Sequence, residues 1–220
     1  MNSFGRIFRV HIFGESHGEC VGLTIDGCPA GLPLSVDDFT TDIERRKPGA
    51  LGTTPRKEDD IPQIKTGLFN GKTTGAPITI IFENKNTRSS DYEKLRAVPR
   101  PGHADFVASK KFGGNEDYRG SGHFSGRLTV CLVAAGVIAK RLLLTSTKGG
   151  GIIVQSYISE IGGEKDPDKG LQKAFDAKDS VGGIVECKVS GLPVGLGEPF
   201  FDSAESLISH AVFAIPAVRG

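Results

Sequence analysis

The chain has 220 residues, of which 38% are hydrophobic and 24% charged, and its formal net charge is +1. This composition is typical of a soluble globular protein, and the charge balance provides no general attraction to nucleic acid or to an anionic membrane. The sequence contains no run of about 18 apolar residues and no signal-peptide pattern, so it predicts a cytoplasmic chain with no membrane partner.

The four cysteines are widely spaced and form no C-x-x-C pair. This spacing fits neither a zinc site nor the disulfide framework of a small secreted protein. We therefore expect reduced thiols and no metal centre.

The first half of the chain favours strands. Apolar residues alternate over 7–13 and 21–26, which predicts two strands joined by a tight loop. Ser35 and Asp38 have the spacing of a capping box, and the helix that they begin has a basic last turn before Pro48. A polar loop over 49–60 follows, and the β-branched run over 78–82 predicts a buried strand.

The second half contains the clearest helix. Residues 84–115 have little periodicity, which indicates a long ordered loop. A stretch from Ser125 to Leu144 is apolar on nearly every face, which predicts a core helix. Helices are also expected after Asp166 and from Ser203 to 213, with a strand over 184–189. No linker divides the chain, so we predict a single domain over residues 1–220.

Three segments contain residues suited to chemistry. Gly14–Gly18 presents Ser16 and His17 between glycines, and an imidazole there can exchange protons near neutral pH. In Pro99–Asp105, two prolines stiffen a turn that carries Arg100 and His103. The alternatives are a solvated loop histidine in the first segment and, in the second, a rigid surface turn in which Asp105 only orients His103.

The third segment, Asp117–Arg127, is rich in glycine and leads into the apolar helix. Unpaired N–H groups at such a helix start attract phosphate, and Arg127 and Arg119 add donors. An ordinary capped helix is the alternative. Gly67–Thr73 resembles a nucleotide-binding P-loop but is one residue short and leads into a strand, so a polar hairpin turn is the alternative there.

In this order, the GESHG, RPGHAD and DYRGSGHFSGR segments resemble the signatures of the chorismate synthase family. Residues 191–197 and 215–220 are similar to later family segments. The resemblance implies an α+β fold in which helices pack between antiparallel sheets in a β-α-β sandwich, and a homotetramer in full-length members. It also implies that 5-enolpyruvylshikimate 3-phosphate loses phosphate in an anti-1,4 elimination that requires reduced FMN and yields chorismate, a step of the shikimate pathway of aromatic amino acid biosynthesis.

Site residues follow from matching positions. His17 and His103 match the family's catalytic histidines, the first protonating the departing phosphate and the second governing flavin protonation. The substrate-binding positions are Ser16, Arg46, Arg100 and Arg127, and the flavin-contacting positions are His123, Phe124, Ser125 and Gly126. Arg46 also matches an arginine assigned to NADP contact in some members, with NADPH acting only as an indirect reductant.

The sequence departs from the family at several positions. Leu51 lies where a basic substrate-binding residue is expected, Leu128 replaces a glutamate and His123 replaces an arginine. The 220 residues also lack later family segments that resemble NHAGG, KPTSS and RHDP. We therefore expect a truncated version of the fold and little or no activity from this chain alone, and the alternative is a non-catalytic FMN- or anion-binding protein.

Overall fold

Residues 2–49, 53, 58–87, 92–93, 96–145 and 151–220 are described by the structure, a computed structural model. They divide into two units, one containing Met1–Lys47, Arg56–Ile138 and Glu198–Gly220 and the other containing Pro48–Pro55 and Ala139–Gly197. A single domain over residues 1–220 remains a prediction. Leu51 lies outside the described residues, so the effect of that departure also remains a prediction.

All strand pairs in the described residues are antiparallel. The strands are β1 (Ser3–Phe4), β2 (Arg9–Gly14), β3 (Cys20–Asp26), β4 (Gln63–Ile64), β5 (Leu68–Phe69), β6 (Lys72–Thr73), β7 (Ile78–Glu83), β8 (Ile153–Ile161) and β9 (Gly183–Ser190). The first unit contains a five-stranded sheet with the order β1-β2-β3-β7-β4. The strands predicted over 21–26 and 78–82 are confirmed as β3 and β7. Alternate residues of both strands are fully buried: Val21, Leu23, Ile25, Ile78, Ile80 and Phe82.

The P-loop-like segment is a hairpin. Strands β5 and β6 pair around Asn70 and Gly71, whose φ angles are 48° and 71°. Positive φ at both central residues is the geometry for which Asn-Gly is the preferred two-residue turn. The hairpin prediction is therefore confirmed, and the chain continues into β7 rather than into a helix.

Five α-helices occur among the described residues: α1 (Thr40–Arg46), α2 (Asp105–Phe112), α3 (Thr129–Thr145), α4 (Pro167–Ala177) and α5 (Ala204–Phe213). The predicted start signals are confirmed. The Asp38 carboxylate accepts from the Ser35 N–H (2.7 Å) at the start of a 3-10 turn, Val36–Phe39, that leads directly into α1. Asp166 accepts from two N–H groups of α4, and Ser203 Oγ accepts from the Ser206 N–H of α5. Together with the antiparallel sheets, these helices confirm the predicted α+β class.

Helix α3 is the apolar helix expected from Ser125. A 3-10 turn over Gly126–Leu128 precedes it, and Leu128 is only 7% exposed, so packing uses the position where the family has glutamate. The stretch Arg119–Thr145 is long and apolar enough to cross a membrane by length and composition alone. Its residues 120–122 are not helical, however, and the 17 residues of α3 span only about 26 Å, less than a hydrocarbon core. Six residues of α3 are buried, as expected of a core helix.

The prediction of a loop over 84–115 is wrong for residues 105–112, which form α2. Helices were predicted from a periodic apolar face, and α2 has no such face because it buries only Ala108. Its other signals are present: Asp105 in the first turn, Lys110 and Lys111 in the last turn, and Gly113 in the left-handed conformation at the end.

The second unit is built on a long hairpin. Strands β8 and β9 pair along their length with an irregularity near Ile158, and α4 packs against β8. A Cβ at Gly170 of α4 would lie 2.2 Å from the Ile161 carbonyl oxygen, so glycine allows the helix to approach the strand. The predicted helix after Asp166 and the strand over 184–189 are both confirmed.

Candidate active site

The loop between β2 and β3 contains Ser16 and His17. Gly14 has a φ of 95°, and a Cβ there would lie 2.4 Å from the Cys20 carbonyl oxygen, so the start of the loop requires glycine. Ser16 and His17 are buried, with 1% and 8% of their surface exposed. The Ser16 N–H donates to the Gly122 carbonyl oxygen (3.0 Å), which joins this loop to the glycine-rich segment.

The His17 ring is enclosed by backbone and by an aromatic ring. A Cβ at Gly120 would lie 2.6 Å from His17 Cδ2 and 3.0 Å from Ser16 Oγ, so only glycine fits there. The Tyr92 ring meets the imidazole edge to face, with centroids 5.0 Å apart. His17 is thus a confined imidazole with little access to water.

Arg100 makes a two-pronged ion pair with Asp105. Its Nε and Nη2 donate to the two carboxylate oxygens, each over 2.8 Å, and Nη2 also donates to Ser121 Oγ (2.8 Å). These hydrogen bonds from Arg100 hold the pKa of Asp105 down at about 2. The guanidinium lies 5.6 Å from the centre of the Tyr92 ring, which also touches His17. We call His17, Tyr92, Arg100, Asp105 and Ser121 the histidine cluster.

A second ion pair lies beside this cluster. Arg119 donates from Nε and Nη2 to the two carboxylate oxygens of Asp117 over 2.8 Å. Hydrogen bonds from Arg119 lower the pKa of Asp117, and the charge of His17 contributes in the same direction. Asp117 and His17 therefore interact electrostatically.

Asp60 joins the two other predicted arginines. Arg46 Nη1 donates to Asp60 Oδ2 (2.9 Å), and Arg127 Nη1 donates to Asp60 Oδ1. The Asp60 side chain is 1% exposed, and those of Arg127 and Arg46 are 4% and 19% exposed. The two guanidinium groups thus share one buried carboxylate.

Arg127 connects this carboxylate to the His17 loop. Its Nε donates to Asn84 Oδ1 (3.0 Å), and its Nη2 donates to the Glu83 carbonyl oxygen (3.3 Å). Asn84 Nδ2 donates in turn to the carbonyl oxygens of Glu15 and Gly18, each over 2.9 Å. Every guanidinium nitrogen of Arg127 therefore donates to the protein itself. We call Asp60, Arg46, Arg127 and Asn84 the Asp60 network.

Arg46 connects the same carboxylate to the start of α3. Its Nε donates to Thr129 Oγ1 (3.0 Å), and its Nη2 donates to the carbonyl oxygens of Gly126 and Arg127. Ser125 Oγ accepts from the Arg127 N–H, which caps the 3-10 turn. The network thus holds part of the segment predicted to contact flavin.

The segment from His123 to Gly126 fits a planar aromatic ligand in two respects. Phe124 is 40% exposed, and a Cβ at Gly126 would have no atom within 4 Å, so an aromatic face and open space are both available. His123 fits less well, because its ring nitrogens lie 2.8 Å from the Gly14 carbonyl oxygen and 3.1 Å from Asn2 Oδ1. It therefore supports the loop that precedes His17.

The His103 backbone N–H donates to the Arg100 carbonyl oxygen (3.3 Å), but its side chain takes no part in the hydrogen bonds described above. It is exposed, and within the described part of the chain its ring has no hydrogen-bond partner, while Asp105 binds Arg100 instead. Sequence reasoning missed Asp60, Asn84 and Tyr92. Their partners are distant in sequence, and only the position of Asn84 directly after a buried strand could have drawn attention to it.

The comparisons with known proteins agree with the motifs. A family model described as chorismate synthase matches residues 8–220. A chorismate synthase of Chitinophaga pinensis is 68% identical, covering all of this chain and 65% of that relative. Relatives of the same description from Dehalococcoides mccartyi and Ignicoccus hospitalis are 47% and 44% identical over the whole chain and are covered to 67% and 63%.

The fold agrees as well. A crystal structure of chorismate synthase superposes with a TM-score of 0.71 at 24% identity, covering 98% of this chain and 68% of that one. The chain therefore spans about two thirds of the length of the relatives that it matches. On the family match over residues 8–220, this chain belongs to the chorismate synthase family.

Proposed function

We propose that this chain serves the chorismate synthase reaction in aromatic amino acid biosynthesis. Phosphate leaves 5-enolpyruvylshikimate 3-phosphate with its carbon–oxygen bonding pair, a ring carbon loses a proton, and chorismate forms without net redox change. The observation that carries the proposal is the histidine cluster, in which the confined imidazole of His17 and the guanidinium of Arg100 both contact the Tyr92 ring.

Arg100 is the best candidate to bind a substrate anion. Its side chain is 27% exposed, and its Nη1 makes no hydrogen bond to the described residues, whereas Nε and Nη2 are held by Asp105. One end of the guanidinium is thus fixed and the other can donate to phosphate or carboxylate. Direct substrate contact by Ser16, Arg46 and Arg127 stays a prediction, and the described bonds of Arg127 support a holding role.

We propose that His17 supplies a proton to the departing phosphate. An imidazole titrates near neutral pH, which suits general acid catalysis, and its low exposure limits exchange with bulk water. His103 is exposed and follows a turn stiffened by two prolines, so we propose it as a second group that exchanges protons.

We also propose that residues 123–126 hold FMN, mainly through the exposed ring of Phe124 and the open space at Gly126. When bound there, reduced flavin would supply transient electron density that weakens the allylic carbon–oxygen bond. NADPH would serve only as an indirect source of that reduction. The residues of this chain contribute binding, orientation and proton transfer.

The curated relatives are longer than this chain, so the first test is ligand binding. The substrate is titrated calorimetrically into the protein with reduced FMN under anaerobic conditions. We expect saturable binding that weakens by at least about tenfold in Arg100→Met, the loss of one charge-assisted contact. Arg6→Met is the matched control, because Arg6 is 75% exposed and pairs with Asp202. Absence of saturable binding, or equal weakening in both variants, would refute the proposal.

Turnover distinguishes the enzyme from a non-catalytic binder. Chorismate release is followed in the same anaerobic samples with wild type and His17→Asn. Release that falls with His17→Asn, while substrate affinity is retained, supports the acid role. Binding without release in the wild-type chain agrees with the low activity expected of these 220 residues and with the alternative, a protein that retains the FMN or anion site without the chemistry.

The exposed apolar surface supports a homo-oligomer. On the β8–β9 hairpin, Tyr157, Ile158, Ile184 and Val185 are 44%, 53%, 51% and 66% exposed. Ile158 and Val185 are directly paired across the two strands, and exposed apolar pairs of this kind are typical of protein interfaces. Light scattering after size-exclusion chromatography should give a mass above 23.3 kDa, and a monomer at micromolar concentration would contradict this.

A further inference from the structure

Asp60 has three unusual properties at once. Its side chain is 1% exposed, both carboxylate oxygens accept from guanidinium groups, and its φ is 51°. A non-glycine residue in the left-handed region is uncommon, and the surrounding structure must maintain it. The family resemblance assigned no role to this position.

The carboxylate is the only acidic group that the described residues place between these two guanidinium groups. Without it, two cations would face each other in a site where Arg127 is almost wholly excluded from water. A buried charge that loses its partner keeps its desolvation cost, so the arginines would move apart or towards solvent.

Such movement would reach the His17 loop through short contacts. Arg127 Nε donates to Asn84 Oδ1, and Asn84 Nδ2 donates to the backbone on both sides of Ser16–His17. Because the amide oxygen accepts from arginine and the amide nitrogen donates to both carbonyl oxygens, the orientation of Asn84 is fixed. A shift of Arg127 therefore weakens one set of contacts that hold the loop carrying the imidazole.

We propose that Asp60 is a positioning residue of this site. It fixes the guanidinium groups of Arg46 and Arg127 in one geometry and, through Asn84, holds the Ser16–His17 loop against the glycine-rich segment. The functional meaning of this positioning rests on the function proposed above, but the contacts themselves can be tested without substrate.

The test is Asp60→Asn, followed by NMR of the arginine Nε–H groups and the His17 ring protons. Asparagine tolerates the left-handed conformation, so the substitution removes charge with little backbone strain. We expect hydrogen exchange at Arg127 Nε–H to accelerate by at least about tenfold, because the guanidinium group loses the carboxylate that holds its Nη1 in place. The His17 ring signals should shift or broaden in the same sample. Asp59→Asn is the matched control, since the Asp59 side chain is 69% exposed.

A second variant keeps the test decisive if Asp60→Asn does not fold. Asn84→Ala leaves the carboxylate and both arginines in place and removes only the link to the loop. The proposal expects His17 signals to change and the Arg46 Nε–H signal to stay. It is overturned if His17 signals in Asn84→Ala, or in a folded Asp60→Asn, match those of wild type.

The two proposals can fail separately. If the His17 signals respond but substrate does not bind, the positioning role stands and the proposed function fails. If substrate binds through Arg100 but the His17 signals do not change in Asp60→Asn or Asn84→Ala, the positioning role is overturned and the proposed function stands.

Discussion

Replacing Asp105 with asparagine should destabilise the protein in a pH-dependent manner. Asp105 accepts three hydrogen bonds from Arg100, and its side chain is only 12% exposed, so solvent screens the pair weakly. Arg100 holds the pKa of this carboxyl at about 2, against its ordinary value of 3.8. Asparagine keeps a hydrogen-bond acceptor but loses the charge.

The magnitude follows from linkage between protonation and folding. A pKa that falls from 3.8 to about 2 corresponds to about 2 kcal/mol of folding free energy at neutral pH. Because the folded pKa is the lower one, this stabilisation is present above pH 3.8 and is lost as the pH falls towards 2. About half of it should remain at pH 3.

Urea denaturation of wild type and Asp105→Asn over this pH range measures the effect. The difference in free energy of unfolding should be about 2 kcal/mol at pH 7 and should shrink to about 1 kcal/mol at pH 3. Asp37→Asn, at an exposed position, is the control. A difference below about 0.5 kcal/mol at pH 7, or one that does not change with pH, would refute the reasoning.

Two further predictions concern packing and thiol reactivity. Gly120→Ala should distort the site and lower the melting temperature, because its Cβ would lie 2.6 Å from His17 Cδ2. Gly126→Ala is the control, since its Cβ would have no atom within 4 Å, and equal melting temperatures for the two variants would contradict the prediction. Burial raises the pKa of Cys131 to about 12, so alkylation in the folded state should spare Cys131 and modify the exposed Cys187, and peptide mapping that finds both equally labelled would contradict this.

Local signals predicted much of the fold. Alternating and β-branched residues revealed β2, β3 and β7, and the hairpin of β5 and β6 was the alternative to a P-loop over Gly67–Thr73. The apolar stretch after Ser125 revealed α3. Helix α2 was missed because a helix that buries a single alanine leaves no apolar period in the sequence, although its end signals were present.

The site was only partly accessible to such reasoning. Motifs of glycine, proline and histidine indicated the loops around His17 and Arg100, because the backbone conformation of these loops is set by neighbouring residues in the sequence. Asp60 pairs with residues 14 and 67 positions away, so spacing alone could not reveal its partners. Asn84, which bridges Arg127 and the His17 loop across 43 and 66 to 69 positions, was hidden for the same reason.

The central claim is that the His17 loop and Arg100 bind one multiply anionic ligand together. Titrating 5-enolpyruvylshikimate 3-phosphate into isotope-labelled protein with reduced FMN, while recording the His17 ring and Arg100 Nε–H signals, tests it most directly. Both signals should move along saturable curves with a common midpoint. Signals that stay fixed at saturating ligand, or that move with clearly different midpoints, would contradict a single site.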